Sequence, residues 1–303
     1  MFIHPCLRLL LAALLFGVST GARASLEEGV DAYRSGNFRA ALKQFMPLAD
    51  SGNASAQFNL GVMNEQGQGV PKNYPKAVSR YRQAAQQGYV KAQLKLGVMY
   101  ASGQGVPQDQ SESASWFGKA AAQGNAPAQF NLGVMYATGQ GVPQDEVQAA
   151  SWFTKAAEQG YALAQFNLAV MYAKGQGLAQ DYTLAIKWYW KAAEQGNAPA
   201  QFNLGQLYRE GKVVAQNYKT ALFLLRKAAE QGNALAQFDL GVMSANGEGM
   251  QQNLIQAYKW FVVAGSVAGE EAVKNRNQLE AKMTAGEIAA AQELAREWQA
   301  THR

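Results

Sequence analysis

The chain has 303 residues, 48% of them hydrophobic and 16% charged, with one cysteine, two histidines and a formal net charge of +5 at neutral pH. That composition gives no support to a disulfide-stapled scaffold. The modest positive balance is interleaved with glutamates instead of gathered into a stripe, which argues against a nucleic-acid surface.

In chain order, residues 1–24 read as a secretory signal peptide. Arg8 precedes an apolar run from Leu9 to Val18, and Ala22-Arg23-Ala24 supplies a small-residue cleavage site. The run is too short to span a bilayer comfortably. Cleavage would leave a chain from Ser25 with no cysteine and no stable membrane insertion, since nothing further along is long and apolar enough to span a membrane. A periplasmic or secreted protein is expected. Cys6 lies upstream of the apolar run and is not placed for lipid attachment. Residues 25–51 are expected to form a short helical hairpin through Ala32, Tyr33, Gly36, Phe38, Ala41, Leu42 and Phe45, capping the N-terminal end of a repeat array.

Residues 52–267 are that array. Blocks open at Gly52, Gly88, Gly124, Gly160, Gly196 and Gly232, a period of about 36 residues in the solenoid range. Each block holds two helical patterns. In the first, Ala164, Leu168 and Tyr172 share one face while Phe166 and Val170 occupy the other, as suits a helix packed between neighbours. A mid-helix glycine recurs at Gly61, Gly97, Gly133, Gly205 and Gly241, with Ala169 in its place once. Glycine there costs up to about 1 kcal/mol against alanine, and close approach of another helix backbone is the expected compensation.

A G-x-G loop ends the first helix, as at Gly103-Gln104-Gly105, and Pro71, Pro107 or Pro143 comes after it in three blocks. Asn73, Asp109, Asp145, Asp181, Asn217 and Asn253 are good N-caps for the second helix. That helix carries a wide apolar stripe such as Ala185, Trp188, Tyr189, Ala192 and Ala193. One such hairpin cannot bury both faces alone, and stacking solves this. Residues 268–303 lose the repeat pattern and are expected to close the stack. One helix is expected from Glu270 to Met283, and a second opens at the capping box Thr284-Ala285-Gly286-Glu287.

With A-x-x-x-L-G-x-x-Y, the G-x-G loop and A-x-x-W-Y/F-x-K-A-A-x-x-G in view, residues 52–267 closely resemble Sel1-like repeats (SLR), longer relatives of the tetratricopeptide repeat. The resemblance implies an all-α, right-handed superhelical solenoid of stacked antiparallel helix pairs. It also implies a non-enzymatic protein-interaction scaffold or adaptor in the bacterial envelope or exported from it, binding another protein or peptide in its groove. The different-class alternative is a protein that binds or hydrolyses cell-wall fragments or β-lactams.

Catalytic signatures are absent from the sequence. His302 is the single histidine after the signal segment. There is no H-E-x-x-H, G-x-S-x-G or Walker loop, and no serine is followed three residues later by lysine. No catalytic residue, cofactor or metal is assigned. The candidate partner-binding residues are those that packing does not fix. Asn59, Asn131, Asn167 and Asn203 recur in the first helices, with Lys95 and Asp239 in the equivalent places. In tetratricopeptide domains that grip peptides, an Asn at a similar place holds the ligand backbone or carboxylate, and an amide can both donate and accept. The competing reading is that each Asn stitches one hairpin to the next. Trp190 stands at a position occupied elsewhere by Arg82, Gly118, Thr154, Arg226 and Val262. It is either an interface anchor or a ring lying along its neighbours. Arg209-Glu210, Val213 and Leu224-Leu225 mark the block from Gly196 as the least regular.

Overall fold

The computed structural model describes residues 24–265 and 269–302, and among these every regular element is a helix. Apart from Ala24, the candidate signal segment lies outside the described residues. Contacts group the chain into two units that meet at Gln87 and Gly88.

The first unit contains α1 (Leu26–Arg34), α2 (Phe38–Asp50), α3 (Ala54–Gln66) and α4 (Tyr74–Gln86). Its N-terminal hairpin is held by Ala41 and Phe45, fully buried, with Ala32, Tyr33, Phe38 and Leu42 packed against them. The second unit runs through five further hairpins. These are α5 (Val90–Ser102) with α6 (Gln110–Ala122), α7 (Ala126–Thr138) with α8 (Glu146–Glu158), and α9 (Ala162–Lys174) with α10 (Tyr182–Glu194). Next come α11 (Ala198–Glu210) with α12 (Tyr218–Glu230), and α13 (Ala234–Asn246) with α14 (Leu254–Ala264). It ends in α15 (Glu270–Glu280) and α16 (Ala285–Thr301), both of which pack on α14. Within each unit the helices of the hairpins pack on their sequence neighbours, the arrangement of a helical-hairpin solenoid.

Local chemistry sets the boundaries. The glycine after each first helix, Gly103 for example at φ +71°, takes the left-handed conformation and donates back to the carbonyl four residues earlier. The Asn or Asp before each second helix accepts from a first-turn backbone N–H, as Asp181 does from Leu184 at 2.9 Å. The capping box forms at Thr284 and Glu287. The helix before it is shorter than expected, ending at Glu280, with Met283 buried in the turn.

The mid-helix glycines have a different partner from the one expected. What approaches is a side chain, not a backbone. A Cβ added to Gly97 would stand 2.5 Å from the Phe117 ring, and one on Gly133 would stand 2.8 Å from Phe153. Phe261 fills the same place at Gly241, and Leu225 at Gly205. In the hairpins that carry the glycine, the second helix presses a large core side chain against the first, where even a methyl group would collide. Phe130 adds a second ring, 5.8 Å from Phe153, and Phe166 lies 6.0 Å from Tyr189 in the block where Ala169 replaces glycine.

The second loop glycine is constrained from outside its own repeat. Gly177, at φ +68°, lies so close to the Glu146 carbonyl at the start of α8 that no side chain fits between them. It fixes its loop onto the preceding repeat, as Gly141 does against the Gln110 carbonyl.

Candidate functional site

Stitching between repeats falls to glutamine. Gln129, Gln165, Gln201 and Gln237 are buried, and each donates to an alanine carbonyl eight residues earlier, at the end of the preceding repeat. Each of the first three accepts in turn from a glutamine thirty residues later, as Gln165 Oε1 does from Gln195 Nε2 at 2.7 Å. The same pair forms at Gln57 and Gln87 in the first unit and at Gln93 and Gln123 in the second. A buried amide satisfied at both ends ties three helices together.

Among the candidate asparagines, Asn203 joins neighbouring repeats whereas Asn131 and Asn167 do not. Asn131 and Asn167 turn back on their own helices, donating to the carbonyls of Pro127 and Leu163 four residues earlier. Asn203 donates to the Tyr189 hydroxyl at 3.2 Å, opposing the rise in the tyrosine pKa that burial causes. Asn59 is half-buried on α3 in the first unit, and Lys95 half-buried on α5 in the second.

Asn131 opens onto a groove of about 290 Å³ between α5 and α7, floored by α6. Val98 and Val134 form its walls, Phe117 and Ser113 its floor, and Ser102 and Asn131 its polar edge. Val98 is 46% exposed. The lining carries no ionisable side chain, so the groove offers apolar contact and amide or hydroxyl hydrogen bonds, not proton transfer. A second groove of about 560 Å³ lies between α13 and α15 over α14, built again from a valine, an asparagine and a phenylalanine, here Val242, Asn246 and Phe261.

Asp239 does not face an open groove. It is 4% exposed, and its Oδ1 accepts from Arg209 at 3.0 Å. The Arg209 Nε donates to Glu248 at 2.7 Å, so the guanidinium of one repeat bridges two carboxylates of the next. Asp239 Oδ2 is buried without a hydrogen-bond partner among the described residues. Burial therefore outweighs the attraction of Arg209, which is shared with Glu248, and lifts the Asp239 pKa to about 6. Glu248 is also partly desolvated, but its hydrogen bonds from Arg209 and Asn246 hold its pKa below the usual range. Arg209 and Asp239, two departures from the repeat pattern, thus compensate each other. Asp239, expected among the partner-binding residues, is instead engaged in an inter-repeat ion bridge.

Trp190 lies against its neighbour. Its indole N–H donates to the Tyr208 hydroxyl at 3.3 Å, and the two rings meet edge to face at 6.1 Å. The recurrent lysines are draped over rings. Lys119, Lys155 and Lys191 sit 3.9, 4.0 and 4.3 Å above Trp116, Trp152 and Trp188.

Among the described residues no group of three or more His, Cys, Asp or Glu side chains could hold a metal ion, and no helix is long and apolar enough to cross a membrane. The family model for the Sel1 repeat matches six consecutive segments, residues 54–89, 90–125, 126–161, 162–197, 198–233 and 234–264. The chain belongs to the Sel1 repeat family. A solved Sel1 repeat protein from Oxalobacter formigenes is 30% identical over 78% of this chain and 94% of its own, with a TM-score of 0.69. A protective antigen present in uropathogenic Escherichia coli strains, described as displaying an SLR fold, is also 30% identical, over 90% of this chain and 75% of its own, with a TM-score of 0.42. No curated protein matches. Sel1 repeat proteins generally mediate protein–protein interaction. The hairpin boundaries of this Sel1 repeat chain coincide with the matched segments, each beginning at a first helix.

The sequence contained a signal for the glutamine stitches. Gln57, Gln93, Gln129, Gln165, Gln201 and Gln237 recur without exception, whereas the neighbouring asparagine is twice replaced. A polar residue that never varies within a repeat array is held by packing.

Proposed function

We propose that this Sel1 repeat protein is a non-enzymatic scaffold, exported from the bacterial cytoplasm, that grips an extended peptide segment of a partner protein between its first helices. The groove at Val98, Asn131 and Val134 supports this reading. It joins apolar walls to amide and hydroxyl groups at the spacing of adjacent helices, and a peptide offers alternating side chains and backbone polar groups to such a surface. Export rests on the segment 1–24, with its basic flank, apolar run and cleavage site.

The test is selection of binders from a random peptide library on residues 25–303, followed by titration against Val134→Glu. Peptides that bind the parent and lose at least about tenfold on the variant, while its helicity and melting are kept, support the groove. Peptides held equally by both place the interaction elsewhere and sink the groove reading. Fractionation of cells expressing the full chain tests export, and retention of the uncleaved protein in the cytoplasm would refute it.

A further inference from the structure

Elsewhere in the second unit, α12, α14 and α16 line an open cavity of about 350 Å³ that carries the ionisable side chains the groove lacks. Arg226 and Lys259 both line it, together with Glu230, Gln256, Trp298 and His302. The two cations bear on each other. Burial first and the Arg226 charge second push the Lys259 pKa down, against a lesser pull from Glu297. Lys259 makes no ion pair among the described residues and rests its Nζ 4.3 Å over the Trp260 ring. Trp260 meets Trp298 edge to face at 5.9 Å, and His302 stacks on Trp298 at 4.2 Å. His302 Nδ1 donates to the Trp298 carbonyl, which can only accept, and this leaves Nε2 as an acceptor while the ring is neutral.

The combination occurs once. Positions equivalent to Arg226 hold Arg82, Gly118, Thr154, Trp190 and Val262, and the roof of Trp298 and His302 exists only where α16 closes the stack. Two cations line this cavity against a single carboxylate, Glu230, and that excess of positive charge favours an anionic group between them. Glu230, Gln256 and His302 Nε2 supply acceptors, which a bare aromatic acid would leave unused but hydroxyl groups would satisfy. The indoles supply an apolar wall for ring C–H groups. The volume is at the small end of the range for small-molecule pockets.

We propose that this cavity binds a small acidic sugar, its carboxylate between Arg226 and Lys259, its hydroxyls toward Glu230 and Gln256, and its ring against the Trp298 edge. The inference stands apart from the peptide groove and survives that groove's failure.

Calorimetric titration of residues 25–303 tests it, with tryptophan fluorescence as a second readout. The probes are glucuronate and N-acetylmuramate, which carry the carboxylate on a uronic acid or on a lactyl amino sugar, with glucose and benzoate as controls. Binding of either sugar acid, with glucose and benzoate each at least about tenfold weaker, is the expected result. Whichever acid binds identifies the source of the carboxylate. Arg226→Ala and Lys259→Gln should each weaken binding about tenfold at unchanged helicity. Benzoate binding as well as the sugar acids, unchanged affinity in the Arg226→Ala/Lys259→Gln double variant, or no signal with either acid at millimolar concentration would overturn the proposal.

Discussion

Replacing Asp239 by asparagine should stabilise this protein at neutral pH and leave it unchanged or weaker near pH 4. The aspartate is buried, one of its oxygens lacks a partner among the described residues, and the cation beside it, Arg209, is shared with Glu248. Its pKa accordingly rises from 3.8 to about 6 on folding. A carboxyl group raised in this way favours the folded state fully below the unfolded value. That contribution is lost as pH climbs through the folded one. Across the interval from 3.8 to about 6, the loss amounts to about 3 kcal/mol at most. The amide of the Asp239→Asn variant would keep an acceptor for Arg209, carry no charge to desolvate, and restore the residue type that Asn131, Asn167 and Asn203 supply elsewhere. Urea unfolding of parent and variant between pH 4 and pH 7.5, followed by circular dichroism, measures the gap. The variant should gain roughly 1–3 kcal/mol at pH 7.5, the gap closing toward pH 4. Arg209→Met should act in the opposite sense, leaving two carboxylates without their cation and costing about 3 kcal/mol. A gap that does not vary with pH, or an asparagine variant weaker at pH 7.5, would refute the reasoning.

Gln165→Ala removes both side-chain hydrogen bonds of one stitch, leaving the Ala157 carbonyl its bond from the Gly160 N–H and the Gln195 amide its bond to the Lys191 carbonyl; it should cost about 1–3 kcal/mol, measured by urea unfolding. Asn167→Ala, whose parent amide only turns back on its own helix, should stay within about 0.5 kcal/mol in the same assay. Gly133→Ala gains up to about 1 kcal/mol of helix propensity but drives a methyl group into Phe153, so it should destabilise by about 1–2 kcal/mol net. Combining it with Phe153→Leu, which puts at this place the side chain that Leu225 presents to Gly205, should recover part of that loss in thermal melting. Trp190→Ala should loosen the contact with Tyr208 and cost about 1–3 kcal/mol, whereas a solvent-facing indole would change nothing.

Much of the fold was legible because a repeat array states each rule six times. Period, helix caps, left-handed glycines and the closing capping box are local rules, satisfied by backbone geometry within a few residues, and the structure honours them at Gly103, Asp181 and Thr284. The candidate site was legible only as a set of positions. Asn131 does border a groove, yet Asn203 is engaged by Tyr189 and Trp190 lies on Tyr208. Asp239 is buried against Arg209, thirty residues away in sequence.

These outcomes depend on which side chains meet across the stack, and hydrophobic periodicity does not encode that. The mid-helix glycine announced a close approach, but that the intruder is a large side chain twenty residues on is settled only by how the two helices of a hairpin pack together. Sequence by itself determined the unit, its boundaries and its repetition, because those are set by short-range backbone chemistry. Tertiary structure decided which polar groups are consumed by packing and which remain to bind, because that depends on desolvation and contact between residues the chain brings together only on folding.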